Sequence, residues 1–191
     1  MAKVSTSDFY SGMVIDVDGE LYSIVDYQHV KPGKGGAFLK TKLKGVVNDK
    51  TIEKSFRSGE SVNQVRVERQ PFQYLYSEGS LHYFMNQNTY EQIPVEEEKV
   101  KKKEFLAEGQ TCTVVVDVDN ERVLYVEPPD HITAKVVDTE PGVRGDTAQG
   151  GSKPATLESG AVVQVPLFIN EGEEIKVDTR TAEYIERVKI N

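Results

Sequence analysis

The sequence predicts an all-β chain folded as three small barrels. Apolar runs with period-two alternation recur about every 8–12 residues, the rhythm of short strands joined by turns. Helical patterning is confined to one short charged stretch. The 191 residues break near residues 65 and 128 into segments of about 60, a length that suits SH3-like or OB-type barrels. The expected units are 1–65, 66–128 and 129–191.

The first unit opens with Met13-Val14-Ile15-Asp16-Val17, which runs into Asp18-Gly19. Asp-Gly between apolar runs is a favoured hairpin turn. Leu21 to Val25 returns, and a further strand reaches Val30. Lys31-Pro32-Gly33-Lys34-Gly35-Gly36-Ala37 follows and breaks the pattern. Glycine tolerates backbone angles that other residues avoid, and proline fixes one torsion, so a tight hairpin tip is expected. It should carry Lys34 outward, with Lys31, Pro32, Gly33, Gly35 and Gly36 framing it. A nucleotide-binding glycine loop is a weak reading, because no GxxxxGK[ST] is present and no amphipathic helix follows. Phe38 to Lys44 leaves the loop. Alternation there puts Lys40, Lys42 and Lys44 on one face and Leu39, Thr41 and Leu43 on the other. Ile52 to Phe56 closes the unit, and Ser58-Gly59-Glu60 turns.

The second unit begins with Val65 to Arg69 and the aromatic run Phe72, Tyr74 and Tyr76. Ser77-Glu78-Gly79-Ser80 turns, and Leu81 to Met85 returns. Tyr74, Tyr76, Tyr83 and Phe84 could stack bases, but barrel core is the reading adopted for most of them. Glu96 to Glu104 is the best helical candidate, with Glu97–Lys101 and Glu98–Lys102 at favourable i,i+4 spacing. Thr111 to Val118 and Arg122 to Val126 form a hairpin about Asp119-Asn120. Pro128-Pro129 interrupts pairing as a stiff linker.

In the third unit, Ile132 to Val137 is a strand. A long polar loop from Glu140 to Ser152 follows, a length often tied to function. Val162 to Ile169 contains Pro166, which predicts an edge or a bulge. Glu174 to Asp178 alternates, and Tyr184 to Val188 is the last strand, with Tyr184 and Arg187 on opposite faces.

Composition narrows function. Net charge is −8, from 31 acidic and 23 basic residues. Between His29 and Arg57, however, eight basic residues face only Asp49 and Glu53, a local charge of +6 that leaves −14 on the rest. One basic end on an acidic chain suits contact with a polyanion at that end and resistance to nonspecific association elsewhere. The lysine stripe is therefore expected to face RNA. Cys112 is the single cysteine; it excludes an intramolecular disulfide, sits in an apolar run and fits a reducing cytoplasm. No signal-peptide h-region and no apolar run near the roughly 20 residues of a membrane span are present. His29, His82 and His131 are scattered, so no metal site is expected. A Schiff-base lysine needs a desolvated pocket, which a glycine-rich tip does not offer, so no catalytic residue and no enzyme are expected.

The tip loop Lys31-Pro32-Gly33-Lys34-Gly35 with Ala37-Phe38 resembles that of the bacterial elongation factor P family. The third unit is more specific. Lys153-Pro154-Ala155, Gly160, Val163, Val165-Pro166, Ile169, Gly172, Val177-Asp178-Thr179-Arg180-Thr181, Tyr184 and Arg187 reproduce the family's C-terminal signature at its spacing. The resemblance covers essentially the whole chain. It implies an SH3-like (KOW-like) barrel and two OB-type barrels in an L shape of tRNA-like dimensions. Family members bind the ribosome between the peptidyl and exit tRNA sites and promote peptide-bond formation at consecutive prolines. Archaeal and eukaryotic initiation factor 5A is the hypusine-bearing counterpart.

By the resemblance, Lys34 reaches toward the peptidyl-transferase centre and is the residue that many members extend covalently, for example by β-lysylation, through a dedicated modifying enzyme. Tyr184 and Arg187 face the small subunit. Arg144-Gly145-Asp146-Thr147 falls in a loop that approaches the exit-site codon, although Gln149-Gly150 stands where the family often continues Thr-Ala. The implied partners are both ribosomal subunits, ribosomal RNA and peptidyl-tRNA, with the chain a cytoplasmic monomer that needs no cofactor. Two other readings stay open: the elongation factor P-like paralogue and a general RNA-binding OB protein.

Overall fold

Where apolar and polar residues alternate, the backbone is extended and one row of side chains is buried. The computed structural model describes residues 2–142 and 150–189. Strands dominate them, joined by turns and short 3-10 segments.

Six strands form the first sheet: β1 (Ala2–Ser5), β2 (Val14–Val17), β3 (Glu20–Val30), β4 (Phe38–Gly45), β5 (Thr51–Arg57) and β6 (Ser61–Gln64). Their order is β1-β6-β2-β3-β4-β5. Asp18 and Gly19 join β2 to β3 with φ of 54° and 88°, the paired positive values that a two-residue type I′ turn requires. β3 is one long strand, with a register shift between Ile24 and Asp26. Ile15, Ile24, Leu39 and Leu43 are buried on the inner face. Phe9 meets Phe56 edge to face at 5.6 Å. β1 and β6 pair with each other through four residues each. A 3-10 turn at Thr6–Asp8 follows β1, and Ser5 and Asp8 close its start as a capping box, the reciprocal bonding that satisfies two orphan N–H groups.

The second sheet has the order β11-β10-β7-β8-β9, from β7 (Val67–Glu78), β8 (Leu81–Asn86), β9 (Gln92–Glu96), β10 (Thr111–Asp117) and β11 (Arg122–Glu127). Tyr74 and Phe84 are buried, as the core reading expects, whereas Tyr76 is exposed. The expected helix at Glu96–Glu104 is absent. Two 3-10 turns, Glu97–Lys99 and Lys103–Phe105, stand there instead, split by Lys102 in the left-handed region. Val100 is buried and bridges to Val126, so tertiary pairing breaks the run that i,i+4 charges favour. Glu97 pairs with Lys103, not Lys101.

The third sheet closes into a barrel of order β12-β13-β14-β16-β15. Its strands are β12 (His131–Thr139), β13 (Ser152–Leu157), β14 (Val162–Pro166), β15 (Glu174–Asp178) and β16 (Glu183–Arg187). β14 ends at Pro166, shorter than its apolar pattern suggests. It is not an edge, because it pairs with β13 and, through Gln164 and Glu183, in parallel with β16. The barrel interior holds Val136, Leu157, Val165, Ile175 and Val177, and Phe105 joins this core from the segment after β9. Pro128 is packed and buried; the hydroxyl of Thr179 donates to the carbonyl of Pro129 at 2.7 Å.

By internal contacts the chain divides into two compact units, Met1–Gln70 with Val114–Tyr125 and Pro71–Thr113 with Val126–Asn191. In the first, Leu21, Val65, Val115, Leu124 and Tyr125 form a second apolar cluster. In the second, Phe105 and the closed barrel share one core.

Candidate functional site

The β3–β4 hairpin ends at the pair Val30 and Phe38. The seven residues between them contain the predicted tip. Lys31 through Gly36 are exposed. Gly35 has φ of 124°, which L side chains rarely adopt, and the ring of Pro32 lies beneath it, 3.8 Å from where a Cβ would stand. A Cβ on Gly33 or Gly36 would meet nothing within 4 Å. Lys34 therefore stands in cleared space, with no ion pair or hydrogen bond among the described residues. The loop's exit is pinned where Ser58 N–H donates to the Ala37 carbonyl at 3.0 Å. The tip is a free ammonium on a tethered arm.

β4 carries the lysine stripe as its alternation predicts. Lys40, Lys42 and Lys44 are exposed, while Leu39, Thr41 and Leu43 are buried. Thr41 is satisfied inside by donating to the Lys54 carbonyl at 2.6 Å. The stripe is less cationic than the linear count suggests. Register sets Lys42 between Asp26 on β3 and Glu53 on β5. Lys40 lies 3.5 Å from Glu53, and Lys44 lies 3.9 Å from Asp49. Lys42 is the member of the three without an ion pair or hydrogen bond among the described residues. Asp49 and Glu53 are already counted against the basic segment in the sequence; Asp26 is not, and its place beside Lys42 follows a register shift in β3.

The residues expected on the codon side belong to the other compact unit. Tyr184 is half-buried against the barrel core. It lines an open cleft of about 870 Å³ with Gly151, Gln164, Pro166, Phe168 and Thr181. Arg187 pairs with Glu173 at 3.0 Å and lies over the Phe168 ring at 5.5 Å. Phe168 is an exposed aromatic that the sequence reading did not single out. Arg144, Gly145, Asp146 and Thr147 lie outside the described residues. The approaches to that loop are fixed. A Cβ on Gly142 would come within 2.5 Å of the Leu167 carbonyl, and the buried Lys153 ammonium donates to the Glu140 carbonyl.

Among the described residues, no cluster of His, Cys, Asp and Glu could hold a metal ion, and no helix is long and apolar enough to cross a membrane. Cys112 is buried, and burial pushes its thiol up to about 12, so it is a packing residue and not a nucleophile.

Three family models match in succession: the elongation factor P KOW-like domain over residues 5–62, the elongation factor P OB domain over 67–126, and the elongation factor P C-terminal model over 132–187. The chain is 50% identical to elongation factor P of Caldanaerobacter subterraneus subsp. tengcongensis, across 97% of this chain and all of that protein. The chain belongs to the elongation factor P family. It is equally 50% identical to the elongation factor P of Phocaeicola vulgatus, over 97% of this chain and 99% of that one. Two solved structures share the fold. A eukaryotic translation initiation factor 5A from Methanococcus jannaschii aligns with a TM-score of 0.50 at 23% identity, over 65% of this chain and 95% of that one. An initiation factor 5A family protein from Naegleria fowleri aligns with a TM-score of 0.54 at 13% identity, over 65% and 96%. Membership of the elongation factor P family makes this chain a translation elongation factor by kinship.

Proposed function

We propose that this elongation factor P family member binds the ribosome between the peptidyl and exit tRNA sites and promotes peptide-bond formation at stalled, proline-rich sequences. The observation that carries the proposal is Lys34, an unpaired exposed cation on a glycine-cleared, pinned hairpin tip. Proline is a conformationally restricted partner in peptide transfer. Orienting the peptidyl-tRNA end lowers such a barrier without any covalent step on the factor, and correct positioning can supply about 7–11 kcal/mol in favourable cases. The exposed ammonium complements phosphate and ribose oxygens, and the transfer itself remains with ribosomal RNA. No desolvated pocket surrounds Lys34, so a nucleophilic role is disfavoured.

Three functional parts are supported by the consecutive family models: a KOW-like part near 1–65 that carries the tip, an OB-type part near 66–128 and a C-terminal part from 129. Tyr184 and Arg187 then serve as small-subunit contacts, and residues 144–147 as the codon-side loop. Covalent extension of Lys34 by a modifying enzyme would add reach and donors to a tip with the clearance to accept them.

The decisive experiment compares the chain with its Lys34→Ala variant in reconstituted translation of a message encoding three consecutive prolines. The variant should fold normally and bind ribosomes, yet lose at least about tenfold in the rate of the stalled step, or about 1.4 kcal/mol. A proline-free message should show no difference. Full relief of stalling by the variant would remove Lys34 from the mechanism.

A further inference from the structure

We propose that the outward face of β7, β8 and β9 is a docking surface for an arginine-bearing polypeptide segment of another protein. The face is made by a bulge. Tyr74 and Tyr76 are two apart on β7 and would share a side in a regular strand. The register shifts between them, so Tyr74 turns inward opposite the buried Phe84 while Tyr76 turns outward opposite Tyr83. Bulges re-aim side chains in this way. The result is a surface pair of rings, 4.7 Å between centroids and 19° from parallel, with Tyr76 44% exposed. Pro94 on β9 continues the row, in register with Tyr83. Leu81 and Met85, half-buried, extend the apolar strip along β8 on either side of Tyr83.

Charge selects the occupant. Leu81 pairs in register with Glu78 on one side and Glu96 on the other, so two exposed carboxylates flank one end of the strip. Neither has an ion pair or hydrogen bond among the described residues. From Pro71 to Glu98 the chain has no lysine or arginine at all, but five glutamates. Nucleic acid would meet uncompensated negative charge here. An arginine guanidinium suits the face on both counts: it stacks on tyrosine rings and forms forked bonds to carboxylates. The face shares nothing with the Lys34 tip, whose chemistry is of opposite sign.

The test is NMR titration of the full chain, labelled at its tyrosine rings. The probes are the peptide Arg-Leu-Arg-Pro-Arg-Leu with blocked ends, the same peptide with lysine for arginine, and a twelve-residue oligouridylate. The arginine peptide should shift the Tyr76 and Tyr83 resonances saturably. The lysine peptide should bind more weakly. Tyr76→Ser should weaken the arginine peptide by about fivefold, and the double variant Glu78→Gln/Glu96→Gln should do so to a similar degree. All of these sites are exposed or outward-facing, so the fold should survive, which an unchanged spectrum of the buried Tyr74 and Tyr22 rings would check. The proposal is overturned if the oligouridylate shifts the two rings and the arginine peptide does not, or if the peptide binds the variants as well as the unaltered chain.

Discussion

Asp117 shows how much a single buried carboxylate can hold. Its side chain is fully covered. Burial opposes its ionisation, but Asn120 donates from both its side chain, at 2.8 Å, and its backbone, at 3.3 Å, and Arg122 Nε donates at 3.1 Å. These donors outweigh burial and hold the carboxyl below its ordinary value. A depressed folded value means stability that is present above the unfolded carboxylate range near 3.9 and is lost as pH falls through the folded value. Asp117→Asn should therefore cost about 1–3 kcal/mol at pH 7, and the gap from the unaltered chain should narrow below about pH 4. Urea denaturation at both pH values measures it; an equal gap at both would mean that the anion is not the source. Nothing in the sequence marked this residue. Asp117 closes an apolar alternation and reads as the polar start of a turn. Only the fold reveals that the turn Val118–Glu121 brings Arg122 back over it. Lys34 was legible for the opposite reason: an exposed tip residue needs no partners, and glycines announce its surroundings locally.

At the scale of elements, legibility follows contact range. The β2–β3 turn, the β3–β4 loop and the alternation of β4 are encoded within a few residues, and all appear as read. The strands β1 and β6 were not anticipated: each has four residues, and each is strand chiefly because the other lies beside it. β9 was not anticipated either; it is five residues long with Pro94 at its centre. The charged stretch after β9 had helical spacing but no buried stripe, so pairing of Val100 prevailed. The stripe on β4 was legible as a row, but not which acid stands beside which lysine. Its pairing makes a prediction finer than the row did. Of the three lysines, Lys42 should matter most to RNA association. Lys42→Gln should reduce the magnitude of the salt slope of ribosome binding by about 0.7–0.9, while Lys40→Gln and Lys44→Gln do less because Glu53 and Asp49 already offset them. Glu53→Gln should tighten binding. Filter binding across a potassium chloride series reads all four; equal slopes for the unaltered chain and the Lys42 variant would take the stripe out of the interface.

For the molecule as a whole, charge is sorted along the chain. One segment of +6 carries the tip, and −14 lies elsewhere, a distribution that favours engagement of a polyanion by that segment. Core organisation is sorted differently from sequence. Phe105 precedes the Pro128-Pro129 break, yet it is 2% exposed and packs in one core with the closed barrel that follows the break. Phe105→Ala should cost that barrel about 3–5 kcal/mol. Hydrogen exchange should show the loss in the amides of β12 and β15, with β3 and β4 keeping their protection. An unaffected barrel would place the ring outside its core. The proline break thus does not mark where one packed core ends. A gene fragment starting at residue 129 would encode every strand of the last barrel and still lack one residue of its core. A recombination that moved the barrel without the turn at Lys103–Phe105 would deliver it with a gap in its core, so the two travel best as one piece.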